Sequence, residues 1–222
     1  MIHAIGEWVL RQACDRLEAW SLPGSLFAGH LSINVSPWQF ARPDFVQSIY
    51  GVVAERGIDP GRLVLEVTES ALLYSLQETI EKLIMLRSAG FRVSLDDFGT
   101  GYSSLAYLNN LPLDILKIDK AFVDELGADQ KYPIVDTIIT LGRHMDLTVI
   151  AEGVETEGQR DLLVKMGCGG FQGYLFCRPL PEEEFVSWLM TKQWNQCGIN
   201  GASYYCPLTD QELRVRRPLN WA

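Results

Sequence analysis

The chain has 222 residues, of which 47% are hydrophobic and 21% are charged, a composition typical of globular proteins. Its net charge of −9 argues against a nonspecific nucleic-acid binder, because such a protein needs a basic face. The 5 cysteines include no Cys-x-x-Cys pair and predict reduced thiols in the cytoplasm, and no apolar run has the length of a membrane span.

The predicted elements alternate between helices and strands along the chain. The opening helix carries an apolar stripe at helical spacing, formed by Val9, Ala13, Leu17 and Trp20. Six strands follow, at residues 31–35, 62–67, 92–96, 114–119, 147–151 and 170–175. Most are apolar throughout, which is typical of a parallel sheet that is buried on both faces. This order is compatible with an open doubly wound sheet and with a (β/α)8 barrel.

Two of the later helices have clear starting signals. Thr156 and Gln159 have the spacing of a capping box, and Pro133 suits the first turn of a helix. The spacing after Pro133 predicts a buried face made of Ile134, Ile138, Leu141 and Met145.

Polar or charged side chains lie near the C-terminal end of every predicted strand. They are Asn34, Glu66, Asp96 with Asp97, Lys117 with Asp119, Glu152 and Gln172. Each one alone has an ordinary structural explanation, such as a turn for the paired aspartates or a salt bridge between Lys117 and Asp119. In a parallel barrel, however, these strand ends converge on the face that carries the active site. The coincidence of six strand ends therefore favours a functional site.

The residue types indicate metal-dependent hydrolysis of a phosphate ester. Asparagine and carboxylate oxygens suit hard cations such as Mg²⁺ or Mn²⁺, and two adjacent aspartates can serve a pair of metals about 4 Å apart. Lys117 would supply a fixed positive charge, and Glu152 a carboxylate that holds or deprotonates a water. An unrelated barrel enzyme with a single metal is the alternative at this point.

Six segments resemble, in order and spacing, the EAL-domain phosphodiesterases of bacterial cyclic di-GMP signalling. The segments are INVSPWQF, LEVTES, LDDFGTGYSSLAYL, LKIDKAFV, IAEGVET and FQGYLFCRPL. The resemblance covers residues 4 to 187 and implies a modified (β/α)8 barrel with one antiparallel strand, often dimeric. It also implies hydrolysis of cyclic di-GMP to linear pGpG with Mg²⁺ or Mn²⁺.

The resemblance implies a role for each of the site residues. The metal ligands would be Asn34, Glu66, Asp96, Asp97 and Asp119. Lys117 would contact the attacking water, and Glu152 would act as the general base or orient that water. Glu69 would anchor the loop at residues 98–104, and the other supporting or substrate-binding residues would be Gln172, Glu155 and Arg178.

The chain departs from the family pattern at its start. The Glu-Ala-Leu stretch that names the family, with a further metal-binding glutamate and a phosphate-binding arginine, would precede the opening helix. We therefore expect an incomplete barrel of about six βα units, with a truncated domain at residues 1–190, a divergent tail at 191–222 and Met1 as an internal methionine. The expected activity is low, and the alternative is a non-catalytic receptor for cyclic di-GMP or a protein-interaction module. The open strand edges would be covered by the tail or by a second copy of the chain, as a homodimer or an edge-mediated oligomer.

Overall fold

The computed structural model describes residues 2–20, 29–73, 75–99, 108–127, 132–190, 203–207 and 213–216. The helices of this part are α1 (Ile2–Trp20), α2 (Pro37–Phe40), α3 (Phe45–Glu55), α4 (Leu76–Ser88), α5 (Lys120–Asp124), α6 (Pro133–His144), α7 (Glu157–Met166) and α8 (Glu182–Met190). The strands are β1 (His30–Val35), β2 (Leu63–Thr68), β3 (Arg92–Phe98), β4 (Ile115–Ile118), β5 (Thr148–Ala151), β6 (Gly170–Gln172), β7 (Ser203–Pro207) and β8 (Leu213–Arg216). Two 3₁₀ turns, Pro60–Arg62 and Glu69–Leu73, precede and follow β2.

The first six strands pair in chain order, and every pair is parallel. This confirms the predicted series of six parallel strands. It also decides for the barrel over the open sheet, because the strands form a closed barrel. All six lie within two or three residues of the predicted bounds.

The last two strands fill the arc between β6 and β1. Strand β7 pairs in parallel with β6, and β8 pairs antiparallel with both β7 and β1, so that the eight strands form a closed barrel. The predicted edges of the six-stranded series are therefore covered by strands of the tail. Strand β7 thus extends the parallel series to seven, and β8 is antiparallel to both of its neighbours. The described residues show no helix between β7 and β8, so these two strands add no further βα unit there.

The main core lies between the outer face of the strands and the helices. Three residues of the predicted stripe of α1, Ala13, Leu17 and Trp20, are buried, whereas Val9 is only partly buried and the neighbouring Leu10 is buried in its place. Within the described residues, no helix is both long enough and apolar enough to cross a membrane.

The predicted starts of the two later helices are confirmed, and the predicted buried face of α6 is wrong at one position, Ile134. Thr156 and Gln159 form the capping box of α7, and Pro133 begins α6. In α6, Ile134 is exposed, and Val135 takes its place in the core. The reason is Gly142, where an added Cβ would lie 2.2 Å from Val149 Cγ2. This close approach to β5 turns the glycine side of the helix inward.

Candidate metal centre

The inner face of the barrel carries an apolar layer and, next to it toward the C-terminal ends of the strands, a charged layer. The apolar layer is a separate buried cluster of Val64, Ile115 and Ile150. Glu66, Lys117 and Glu152 each lie two positions further along the chain, toward the C-terminal ends of the strands. Because every second residue of a strand faces the same side, these side chains continue the inner face. The apolar layer therefore shields the charged groups from water on the side of the N-terminal ends of the strands.

Lys117 is the centre of the charged layer and is fully buried. Its Nζ lies 3.1 Å from Glu66 Oε2, 2.8 Å from Asp96 Oδ1 and 2.5 Å from Glu152 Oε1. One ammonium group thus contacts three carboxylates, which come from β2, from β3 and from the residue directly after β5. Buried charges are retained only when they are paired, so this cluster holds the ends of β2, β3 and β5 around β4.

Asp96 and Asp97 reach the same site because β3 contains a bulge. In a regular strand, adjacent side chains point to opposite faces. The pairing of β3 with β4 shifts between Leu95 and Phe98, and Asp97 has a φ of 55°. This left-handed backbone turns Asp97 toward the inner face and returns Phe98 to the outer core. A non-glycine residue in this region costs on the order of 1 kcal/mol, and such residues cluster at functional sites.

Asp97 is surrounded by more negative than positive charge. Burial raises the pKa of the Asp97 carboxyl above its usual range, and the charges of Asp96 and Asp119 raise it further, while Lys117 opposes them. Asp119 therefore lies close enough to Asp97 to disfavour its ionised form. Asp119 is fixed in turn, because its Oδ1 accepts a hydrogen bond of 2.7 Å from the amide of Ala121 at the start of α5.

The donor set fits a hard divalent cation. Ligand oxygens of Asp96, Asp97 and Glu152 lie within 4.8 Å of one another, which is close enough to hold one ion between them. The donors are all oxygen atoms, as Mg²⁺ and Mn²⁺ prefer. Carboxylates also outnumber the single ammonium in this cluster, so a bound cation would relieve the repulsion that raises the pKa of Asp97.

Three other predicted residues lie beside the cluster on neighbouring elements. Asn34 is paired in register with Glu66, and therefore belongs to the same face of the sheet. Gln172 ends β6 and Glu69 begins the 3₁₀ turn after β2. Both are buried, and each has a side-chain oxygen (Oε1 of Gln172 and Oε2 of Glu69) that has no hydrogen-bond partner among the described residues. Unpaired buried acceptors are costly, and here they are available to bind a ligand or water.

Two predicted residues have partners at the surface instead. Glu155 Oε1 accepts a hydrogen bond of 2.8 Å from Lys120 Nζ, and both side chains are about half exposed. Arg178 is exposed, and its guanidinium lies 4.8 Å from the centre of the Tyr174 ring. Most of the predicted supporting loop at 98–104 lies outside the described residues.

The sequence interpretation missed two small residues that shape the site. Ser94 is fully buried and is paired in register with Glu66, and within the described part of the chain its hydroxyl oxygen has no hydrogen-bond partner. An added Cβ at Gly173 would lie 2.1 Å from the carbonyl oxygen of Val154, so only glycine lets the end of β6 approach the loop after β5. The available signals were a serine inside an apolar strand and a glycine directly after Gln172.

Comparison with known proteins places these features in a family. The profile described as EAL domain matches residues 1–179. The bifunctional diguanylate cyclase/cyclic di-GMP phosphodiesterase MucR of Pseudomonas aeruginosa is 42% identical over 188 residues, which is 84% of this chain and 27% of that protein. The chain thus spans about a quarter of the length of the curated relatives it matches.

Solved structures are similar over most of the chain. The PaMucR phosphodiesterase in complex with c-di-GMP is 42% identical, with a TM-score of 0.77 over 83% of this chain and 80% of that chain. A manganese/cy-diGMP complex of BlrP1 from Klebsiella pneumoniae is 31% identical, with a TM-score of 0.62 over 75% of this chain and 44% of that chain. Sequence and fold agree on one assignment: the chain belongs to the EAL domain family.

Proposed function

We propose that this chain binds cyclic di-GMP and divalent cations at the C-terminal end of its barrel and hydrolyses the ligand to linear pGpG. The observation that carries the proposal is the cluster at Lys117, where one buried ammonium holds three carboxylates in contact. The names of the related proteins and the cyclic di-GMP in the similar structures support the choice of ligand.

We propose Asn34, Glu66, Asp96, Asp97 and Asp119 as the residues that hold the cations. Bound Mg²⁺ or Mn²⁺ would lower the pKa of a coordinated water and stabilise negative charge on the phosphate. The manganese in the similar BlrP1 structure and the all-oxygen donors of this cluster support that choice of metals.

Glu152 and Lys117 have complementary tasks in the proposed reaction. The Glu152 carboxylate can accept a proton from the attacking water, and its contact with Lys117 orients it toward the other carboxylates. Lys117 keeps Glu66 and Asp96 close together without metal and offers positive charge beside the phosphate. Water then adds to phosphorus, the bond from phosphorus to the ribose O3′ breaks, and O3′ leaves as a hydroxyl. The product keeps a 5′-phosphate.

The supporting residues can be assigned to two groups. Gln172 and Glu69 have buried oxygen atoms that can accept a hydrogen bond from the ligand, from water or from the neighbouring loop. The exposed pair of Tyr174 and Arg178 offers an aromatic face and a cation that can meet a guanine base at the open end of the barrel.

We further propose that the protein acts in the cytoplasm as a homodimer. Within the described part of the chain, Cys14, Cys168 and Cys177 form no disulfide, which supports a reducing compartment. Because β7 and β8 pair with the edges of β6 and β1, we expect a dimer contact on the helical surface rather than through strand edges. A clear monomer in light scattering at micromolar concentration would contradict the dimer.

The experiment is incubation of the full chain with cyclic di-GMP and Mn²⁺, followed by chromatographic separation of the products. The matched control is Asp96→Ala, which removes one proposed ligand and one partner of Lys117. We expect pGpG from the wild type and loss of product in the variant. Binding without turnover would replace hydrolysis by a receptor function, and absence of both binding and turnover would contradict the proposal.

A further inference from the structure

Two loops at the open end of the barrel carry groups of the proposed site. The loop after β5 begins with Glu152 and reaches α7, and the turn after β4 contains Asp119 and leads into α5. A backbone hydrogen bond links the first of these loops to the end of β4: the Glu152 amide donates a bond of 3.1 Å to the carbonyl oxygen of Ile118, the residue before Asp119.

Gln159 forms a buried connection between the loop after β5 and α5, which the exposed bond between Lys120 and Glu155 joins only at the surface. Its Oε1 accepts hydrogen bonds from the amides of Glu155 and Thr156, at 2.9 and 3.0 Å. Its Nε2 donates a hydrogen bond of 3.1 Å to the carbonyl oxygen of Val123 in α5. The side chain is only 8% exposed, so these bonds are protected from competition with water.

Only part of this arrangement is needed to start helix α7. A capping box requires the Thr156 side chain to accept a bond from the Gln159 amide, and the side chain at position 159 to reach back to the Thr156 amide. The bonds to Glu155 and to Val123 go beyond the cap. They connect the loop of Glu152 with the helix whose first turn is capped by Asp119.

We propose that Gln159 is a positioning residue that sets the distance between Glu152 and Asp119 for hydrolysis. This inference rests on the proposed function of the same site. Gln159 does not contact the reacting groups; it acts through the two loops that carry them. A glutamine is required because the bridge needs an acceptor toward two amides and a donor toward a carbonyl on one flat group.

Two substitutions separate the bridge from the cap. Gln159→Glu keeps a residue that suits a capping box, but its second oxygen faces the Val123 carbonyl oxygen and cannot donate a bond. Gln159→Met removes the bridge without adding charge. Thr156→Ala is the matched control, since it removes the cap bond from the Gln159 amide and leaves the bonds of the Gln159 side chain in place.

The experiment measures kcat and KM for cyclic di-GMP with Mn²⁺ in the full chain, together with amide hydrogen exchange of residues 118–124 and 152–156. We expect both Gln159 variants to lower kcat by about 10-fold or more, because misplacement of a reacting group by about 1 Å can cost as much as about 100-fold. KM should stay unchanged, and exchange should become faster in both segments. Thr156→Ala should keep the wild-type kcat and accelerate exchange only at the start of α7.

Wild-type kcat in Gln159→Met, or equal loss in Thr156→Ala, would overturn the inference. If the wild type itself shows no turnover, the proposed hydrolysis fails, and hydrogen exchange then decides about the bridge alone. Faster exchange in both segments of the Gln159 variants would support the coupling of the loops, and exchange confined to α7 would reject it.

Discussion

Replacing Lys117 with methionine removes the positive charge that the three carboxylates of the cluster share, and it keeps an unbranched side chain. The wild-type ammonium is fully buried and contacts Glu66, Asp96 and Glu152 at 2.5 to 3.1 Å. Breaking a buried ion pair by removing one partner costs about 3–5 kcal/mol, because the remaining charge is left uncompensated. We expect Lys117→Met to lower the free energy of unfolding by this amount in the presence of a chelator.

Divalent metal should reverse a large part of this loss, because a cation takes over the neutralisation of the carboxylates. A ligand that binds only the folded state adds about 2.7 kcal/mol at a concentration of 100 times its Kd. The assay is urea unfolding followed by circular dichroism, with chelator and with Mn²⁺. The stability gained from Mn²⁺ should be larger in the variant than in the wild type.

Lys120→Met is the matched control. Lys120 also contacts two carboxylates, Asp124 at 2.7 Å and Glu155 at 2.8 Å, but its side chain is 48% exposed. Exposed pairs contribute about 0–1 kcal/mol, so this variant should unfold almost like the wild type and gain nothing specific from Mn²⁺. Equal losses in the two lysine variants would refute the reasoning, since burial of the cluster would then have no energetic effect.

Three further predictions test the surroundings of the site. Asp97→Asn keeps a residue that tolerates a φ of 55° and removes a carboxyl whose pKa is raised. With chelator present, the wild type should lose stability as the pH rises through that raised pKa, and the variant should not. The same pH dependence of urea unfolding in the two proteins would contradict this. Gly173→Ala would place a Cβ 2.1 Å from a backbone oxygen and should lower the free energy of unfolding by about 1–3 kcal/mol. Gly51→Ala lies in open space within α3 and should raise the free energy of unfolding by about 0.5–1 kcal/mol. Calorimetry that shows a change of the same sign for both variants would reject this account. Burial raises the pKa of the Cys14 thiol to about 11, so iodoacetamide at about pH 8 should label the less buried Cys177 first, and peptide mass spectrometry that finds equal labelling would contradict the burial of Cys14.

The order of the strands and the convergence of their ends could be predicted from the sequence because both follow from local patterns. Apolar strands such as β2 and β4 carry their charged residue near the C-terminal end, and parallel pairing brings those ends together. Burial of Glu66 and Lys117 in one cluster then follows from the register of neighbouring strands. The capping box of α7 could be predicted for the same reason, since all its atoms belong to consecutive residues.

The remaining features depend on contacts between residues that are distant in the chain. Asp97 joins the site only because β3 gains one residue against β4, and a bulge has no clear signal in a strand that reads as regular. The orientation of α6 depends on the contact between Gly142 and Val149, which the helical spacing alone does not contain. Pairing of β7 and β8 with the ends of the six-stranded series is likewise a long-range event, and the tail sequence offered only the hypothesis that it covers the gap.

The most direct test of the central claim is titration of Mn²⁺ into the full chain, followed by electron paramagnetic resonance of the free ion. The account predicts saturable binding by the wild type, and loss of that binding in the double variant Asp96→Asn/Asp97→Asn, whose carboxylates form the candidate centre with Glu152. Equal binding by the two proteins, or absence of saturable binding by the wild type with cyclic di-GMP present, would contradict a metal centre at the end of this barrel.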